Sequence, residues 1–316
     1  MPLLSAAISG LLLAVSLWDQ NTSWLAAGAL VPLLFHLIKH PPSTGISLAC
    51  GWICGLIAYG IHFRYTLQAL NISIFVMLLL YVSLYVGLFS AGVSYVARRN
   101  RELACVISPL LWTALEFIRA TAFTGLQVGS LGASQARVTH LVQIVSVTGV
   151  FGLSLLLVVI SVTLTRLVIR SPLNARYTTI WLATSTIMLL GAATYGTLVL
   201  RSQPGNGELV RVATVQAAID ERNQDPAVVH EQIIRRYRTL LGALDDYRAD
   251  LTVLPETMTG SYLAADSAFL TLVAEMGERT GSAFLIGSRH IEEEDFTYGL
   301  YNSAFLLSAA GQIQDR

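Results

Sequence analysis

Lysine is nearly absent from this chain. Lys39 stands alone among 316 residues, and no cysteine follows Cys105. Charge as a whole is thin, 13% of residues against roughly 25% in soluble globular domains. Each shortage excludes something. Without a long basic block there is no footprint for a nucleic-acid partner. Cys50 and Cys54 lie four apart and share a helical face, but no further ligands lie nearby. They and Cys105 read as small packing residues inside apolar runs, not as a metal site or disulfide. The first apolar run does not read as a cleaved signal peptide, since no basic residue precedes it and further runs follow at once.

What charge there is falls unevenly. Residues 1–200 carry ten basic and three acidic groups, and residues 201–316 carry ten basic and seventeen acidic ones. The chain therefore divides into an apolar domain, 1–200, and a mildly acidic, water-facing domain, 201–316. The first is an α-helical multi-pass membrane domain of about seven helices, because seven segments approach the ~20 apolar residues a crossing needs. They are 3–18, 23–38, 46–64, 71–97, 103–119, 139–165 and 178–200, the first two forming a tight helical hairpin or one kinked element. With the N-terminus inside, the inner connections hold Lys39, Arg98, Arg99, Arg101, Arg166, Arg170 and Arg176, and the outer ends hold Arg64, Arg119 and Arg137. That bias fits the positive-inside pattern, and an odd number of crossings puts everything after about residue 200 outside the cytoplasm. Trp18, Trp24, Trp112 and Trp181 stand near span ends, where an indole meets both phases, and Trp52 lies deeper. Glu116 and Arg119, three apart, are placed to pair on one helical face. They shape an entrance for a lipid headgroup or substrate, or they close a helix end against its neighbours. His62 and His140 read as interfacial residues, not proton carriers.

The second domain reads as an α/β layer. Residues 209–215 form a strand, 226–246 a helix opened by Pro226, 251–254 a short apolar strand, 266–279 a helix, and 283–287 and 301–308 two further strands with a turn after them. The acidic run 292–295 reads as a solvated hairpin or loop. A sheet of this kind needs both faces covered, and about 110 residues supply only part of one. Glu256 is the candidate catalytic residue. It follows the strand LTVLP directly, at the strand end where α/β folds place their chemistry. Partial burial there would raise its carboxyl pKa and suit it to general-base work, and the alternative is a turn or capping carboxylate. Thr259 and Ser261 are weaker nucleophile candidates, with no histidine at a telling distance, and His290 alone says little.

These residues also carry a resemblance. LTVLPETMTG resembles the first catalytic motif of the carbon–nitrogen hydrolase, or nitrilase, superfamily, an apolar strand closed by a proline and a catalytic glutamate. RVATVQAAI resembles its opening strand, and YNSAFLLSAAGQIQDR the strand and turn leading to its catalytic lysine. PLLWTALEFIRATAFTG and LVQIVSVTGVFGLSLLLVVI look like membrane segments of the bacterial apolipoprotein N-acyltransferases, which the chain resembles over nearly its whole length. The resemblance implies an α–β–β–α nitrilase-like domain, incomplete here, on the extracytoplasmic side of the bacterial inner membrane. It implies a Glu–Lys–Cys triad without cofactor or metal, a phospholipid acyl donor, a lipoprotein acceptor and a monomer. Glu256 matches the family base, and no residue matches the lysine or the cysteine. The chain thus reads as a C-terminally truncated product or fragment, inactive as it stands. AAIDERNQ, at 217–224, departs from the tryptophan-bearing stretch of the family. A membrane-anchored amidase and a non-catalytic membrane scaffold remain as alternatives.

Overall fold

The computed structural model describes residues 2–68, 70–122, 125–169, 174–202, 207–219, 225–256, 262–294 and 297–316. The chain divides into two compact units, Met1–Gln203 and Pro204–Arg316.

The first unit is helical. Its elements are α1 (Pro2–Trp18), α2 (Val31–Lys39), α3 (Thr44–His62), α4 (Ile72–Ala97), α5 (Arg101–Thr121), α6 (Thr139–Val142), α7 (Val145–Ile169) and α8 (Ala175–Arg201). Among the described residues, six helical stretches are long and apolar enough to cross a membrane, and α1 is a shorter apolar helix beside them. The hairpin expected near the N-terminus is present, but its second arm is composite. Gln20–Ala27 is a 3-10 helix started by the Asp19 side chain, and α2 follows with Pro32 in its first turn. The sixth span is interrupted as well, because Gly149 adopts φ 63° and breaks the helical path inside α7. Asparagine side chains start three of the long helices: Asn71, Asn100 and Asn174 accept from the Ser73, Leu103 and Arg176 amides, satisfying N–H groups a helix start leaves open.

Apolar residues point both ways, as they must in lipid. Leu34, Val82 and Val158 are fully buried, while Met77 and Ile187 are each 70% exposed on the outer surface of α4 and α8. With lipid outside, helices gain little from hydrophobicity and join through close packing of small residues. Gly51 and Gly55 show this on α3. A methyl on Gly51 would come within 2.3 Å of the Val86 carbonyl, and one on Gly55 within 2.8 Å of the Ser83 Cα. Cys50, Cys54 and Cys105 are buried free thiols.

Among the described residues, the second unit is a five-stranded mixed sheet with two α-helices. Strands β1 (Val212–Thr214), β2 (Leu251–Leu254), β3 (Ala283–Glu294), β4 (Thr297–Leu307) and β5 (Ile313–Asp315) lie side by side in sequence order. The β1–β2 and β2–β3 pairs are parallel, and β3–β4 and β4–β5 are antiparallel. The parallel pairs are bridged by α9 (Pro226–Gly242) and α10 (Ser267–Thr280), as parallel pairing requires. Asp225 caps α9, with Pro226 in its first turn. α10 starts on Asp266 and stops at Gly281, whose φ of 73° suits glycine. One core joins Ile233, Tyr237 and Leu241 of α9 and Phe269, Leu272 and Val273 of α10 to Leu254, Phe284, Ile286, Phe305 and Leu307 of the sheet.

Some boundaries differ from the sequence reading. α9 ends at Gly242, and residues 243–247 form successive turns, with Leu244 N donating to Leu241 O and Tyr247 N to Leu244 O. β3 runs on through Glu292–Glu294, which pair with Gly299, Tyr298 and Thr297. The acidic run is thus largely strand, and Asp295 lies outside the described residues. β5 was not anticipated; its three exposed residues carry no apolar alternation. The sheet is not closed, in keeping with part of a nitrilase-like α/β fold.

Candidate active site

Glu256 stands two residues past the last β2 pair, Leu254 with Ile286. The strand ends there because Pro255 has no N–H to continue the ladder. The Glu256 side chain is exposed, not partly buried as its position suggested, and its Oε1 accepts a 2.8 Å hydrogen bond from Asn302 Nδ2 on β4. Asn302 pairs with Arg289 of β3, so the contact reaches across the intervening strand. Gly287 makes that approach possible. A methyl there would come within 2.6 Å of the Glu256 Cα and 2.9 Å of the Pro255 carbonyl oxygen. A glycine inside a strand marks such a close backbone approach.

The segment after Glu256 is tied down again at its far end. Tyr262 bridges in parallel to Arg289, and Leu263 N donates to the buried Ser288 Oγ at 3.1 Å. Residues 257–261, with Thr259 and Ser261, lie outside the described residues. His290 is turned to other work, edge-on to Phe305 at 5.8 Å and in contact with Arg316. Arg316 also reaches Glu292 Oε1 at 2.8 Å and holds that exposed carboxyl below its usual range. Asn302, Gly287 and Ser288 were missed as site residues by reasoning on the sequence. The signals were a polar residue inside YNSAFLLS and a small pair inside the β3 run.

In the helical unit, Glu116 and Arg119 are both buried, 5% and 2% exposed, but they do not pair directly. Glu116 Oε1 accepts from Leu131 N at 2.8 Å, while Arg119 donates to the Tyr59 hydroxyl at 2.9 Å. That hydroxyl in turn donates to the Gly129 carbonyl at 3.4 Å. Both acceptor chains end on the segment between α5 and α6. The LGASQ turn, Leu131–Gln135, is held further by Gly132 N donating to Ser154 Oγ at 2.8 Å and by Gln135 Nε2 donating to Ser23 O at 2.9 Å. Glu116 and Arg119 therefore close a helix end against its neighbours. They also line a small cavity with Tyr59, Tyr85, Phe89 and Trp112. His62 packs on Phe63 and Tyr65, and the Arg64 guanidinium lies 3.2 Å over the Trp18 ring, an interfacial arrangement. His140 is exposed, and its carbonyl would meet a methyl on Gly196 of α8 at 1.8 Å.

Comparison with known proteins gives a consistent result. Residues 9–163 match the apolipoprotein N-acyltransferase N-terminal domain. An apolipoprotein N-acyltransferase of Geobacter metallireducens is 32% identical over an alignment covering 99% of this chain and 62% of that protein. One from Chlorobaculum tepidum is 26% identical, covering 98% of this chain and 62% of its own length. One from Haemophilus influenzae is 24% identical, covering 90% and 55%. The chain thus spans about three fifths of the length of these relatives, and the longer alignments run across both of its units.

Proposed function

Because the chain belongs to the apolipoprotein N-acyltransferase family, we propose that it represents the membrane domain and the base-bearing part of an enzyme that moves a fatty acyl chain from a phospholipid to the N-terminal amine of a diacylglyceryl-cysteine lipoprotein. The supporting observation is Glu256, held at the end of a central strand by Asn302 and given room by Gly287. An exposed carboxylate at a strand end is accessible to substrate and fixed in direction. In the proposed reaction Glu256 takes the proton of a cysteine thiol. The thiolate attacks the phospholipid ester carbonyl, and a lysine ammonium stabilises the tetrahedral oxyanion. The C–O bond breaks and the lysophospholipid leaves as its alcohol, protonated by Glu256. The lipoprotein α-amine then attacks the thioester, Glu256 accepts the amine proton, and the thiolate departs. Residues 257–316 contain neither lysine nor cysteine, so these 316 residues by themselves supply the base alone.

The helical unit favours placing the second unit on the extracytoplasmic side of the bacterial inner membrane. Arg101 donates to the Lys39 carbonyl, Arg98 to the Pro42 carbonyl, and Arg166 to Glu102 and the Asn174 carbonyl. These contacts gather the basic helix ends at one end of the bundle. α8 then carries the chain about 40 Å to the other end. The positive-inside tendency assigns the basic end to the cytoplasm.

The test uses a labelled phospholipid and a lipoprotein peptide. Residues 1–316 are expected to transfer no label. Joining the further sequence of the Geobacter metallireducens relative after Arg316 is expected to restore transfer, and Glu256→Ala in that fusion to lower it by at least ~10²-fold. Transfer unaffected by Glu256→Ala would overturn the assignment. Release of fatty acid to water with none to the peptide would favour an amidase-like hydrolase.

A further inference from the structure

At the basic end of the bundle, the α4–α5 turn borders a concavity of about 640 Å³ lined by Arg98, Arg99, Asn100, Arg101 and Glu102, together with Pro41 and Ala97. Its cations are held in position. Arg98 donates to the Pro42 carbonyl at 2.7 Å and to the Thr44 hydroxyl at 2.6 Å. Arg101 donates to the Lys39 carbonyl at 3.4 Å, and Arg99 lies over the Tyr95 ring at 4.5 Å. These partners are neutral. The single carboxylate in the lining, Glu102, is committed to Arg166 at 2.5 Å and to the Asn174 amide at 2.9 Å. Among the described residues, no carboxylate pairs with Arg98, Arg99 or Arg101. Three guanidinium groups thus surround one depression without a counter-ion of their own. Each keeps N–H donors to spare, since a guanidinium has five.

Depth selects the ligand. The 26 residues of α4 end at Ala97 and α5 starts at Arg101, so the depression sits where the apolar span stops, at headgroup level. Guanidinium forks match phosphate oxygens geometrically, and basic pockets between helices at this level suit anionic headgroups. We propose that this concavity binds the phosphate of an anionic phospholipid headgroup, with Arg99 as its most available donor. The site lies at the opposite end of α5 from Glu116 and Arg119.

The test is native mass spectrometry of the full 316-residue chain released from nanodiscs of equimolar phosphatidylglycerol and phosphatidylcholine with matched acyl chains. Retention of phosphatidylglycerol over phosphatidylcholine is expected. Arg99→Gln should lower it about fivefold, Arg99→Lys should retain most of it, and Arg176→Gln, at the same membrane level, should leave it unchanged. Helical circular dichroism reports that each variant is folded. Equal retention of both lipids, an unaffected Arg99→Gln, or an equal loss in Arg176→Gln would overturn the proposal. Competition by millimolar inorganic phosphate or glycerol 3-phosphate as effective as by the lipid would also overturn it, by making this a free-anion site.

Discussion

Glu256 owes its position to residues that carry no chemistry of their own. Pro255 ends the ladder, Gly287 leaves room, and Asn302 fixes one carboxylate oxygen. Gly287→Ala is expected to cost ~1–3 kcal/mol through overpacking. In the restored fusion it should cut acyl transfer ~10²-fold by displacing Glu256 by a fraction of an ångström or more. Asn302→Ala loses only a solvent-exposed hydrogen bond and should destabilise by ~1 kcal/mol or less, with a smaller loss of rate. A Gly287→Ala fusion with unchanged kcat would remove the positioning role. Tyr237 supplies a pH-dependent case. Burial in the α9–sheet core raises its pKa, against the smaller opposing effect of the Ala217 N–H donating to its oxygen. The unfolded tyrosine ionises near ~10 while the folded one keeps its proton. Stability is therefore unaffected below about pH 10 and falls above it. Tyr237→Phe should flatten that alkaline decline in thermal melts followed by near-ultraviolet circular dichroism. A decline of equal slope in the variant would mean another group is responsible.

Among the elements, the LGASQ turn depends most on side chains remote in sequence. Glu116 on α5, Tyr59 on α3, Ser154 on α7 and Ser23 before α2 all reach it or its flank. Gly132 is needed there too, since a methyl would come within 2.4 Å of the Val150 carbonyl. Glu116→Ala removes the acceptor of the Leu131 amide in a buried setting, which costs ~1–3 kcal/mol. We expect a lower melting temperature in detergent and faster proteolysis between residues 125 and 138, with Glu116→Gln close to wild type. Melting of Glu116→Ala identical to wild type would show that the clamp is carried by the other contacts. The sequence placed Glu116 and Arg119 on one face correctly. It did not reveal that each bonds to a different neighbour, because i,i+3 spacing says which residues are near and not which outside partner competes for them.

At the scale of the molecule, the two units follow different solvation rules. In the helical unit the exposed side is apolar and the interior holds serines, glycines and a few hydrogen-bonded charged side chains. In the α/β unit the apolar residues gather between sheet and helices. The expected orientation is checked by Glu278→Cys, an exposed position on α10 beside three buried native thiols. A membrane-impermeant maleimide should label it in spheroplasts without lysis. Labelling that appears only after lysis would place the second unit in the cytoplasm and reverse the topology.

Hydrophobic run length, the shift in charge near residue 200 and the strand–proline–glutamate pattern were enough to read a helical membrane part, an α/β part and a carboxylate, Glu256, at the end of a strand from the amino acids alone. Such features are local: a span or a strand-end carboxylate is written in neighbouring residues. Tertiary structure decided the broken second and sixth spans, the extension of β3 through its glutamates, the edge strand β5, the exposure of Glu256 and its hold by Asn302. Asn302 reaches Glu256 from 46 residues away, the β3 extension and β5 rest on pairing with β4 across a turn, and the broken spans turn on backbone geometry at Asp19 and Gly149. Pairing and close approach in space are not encoded by apolar run length or alternation.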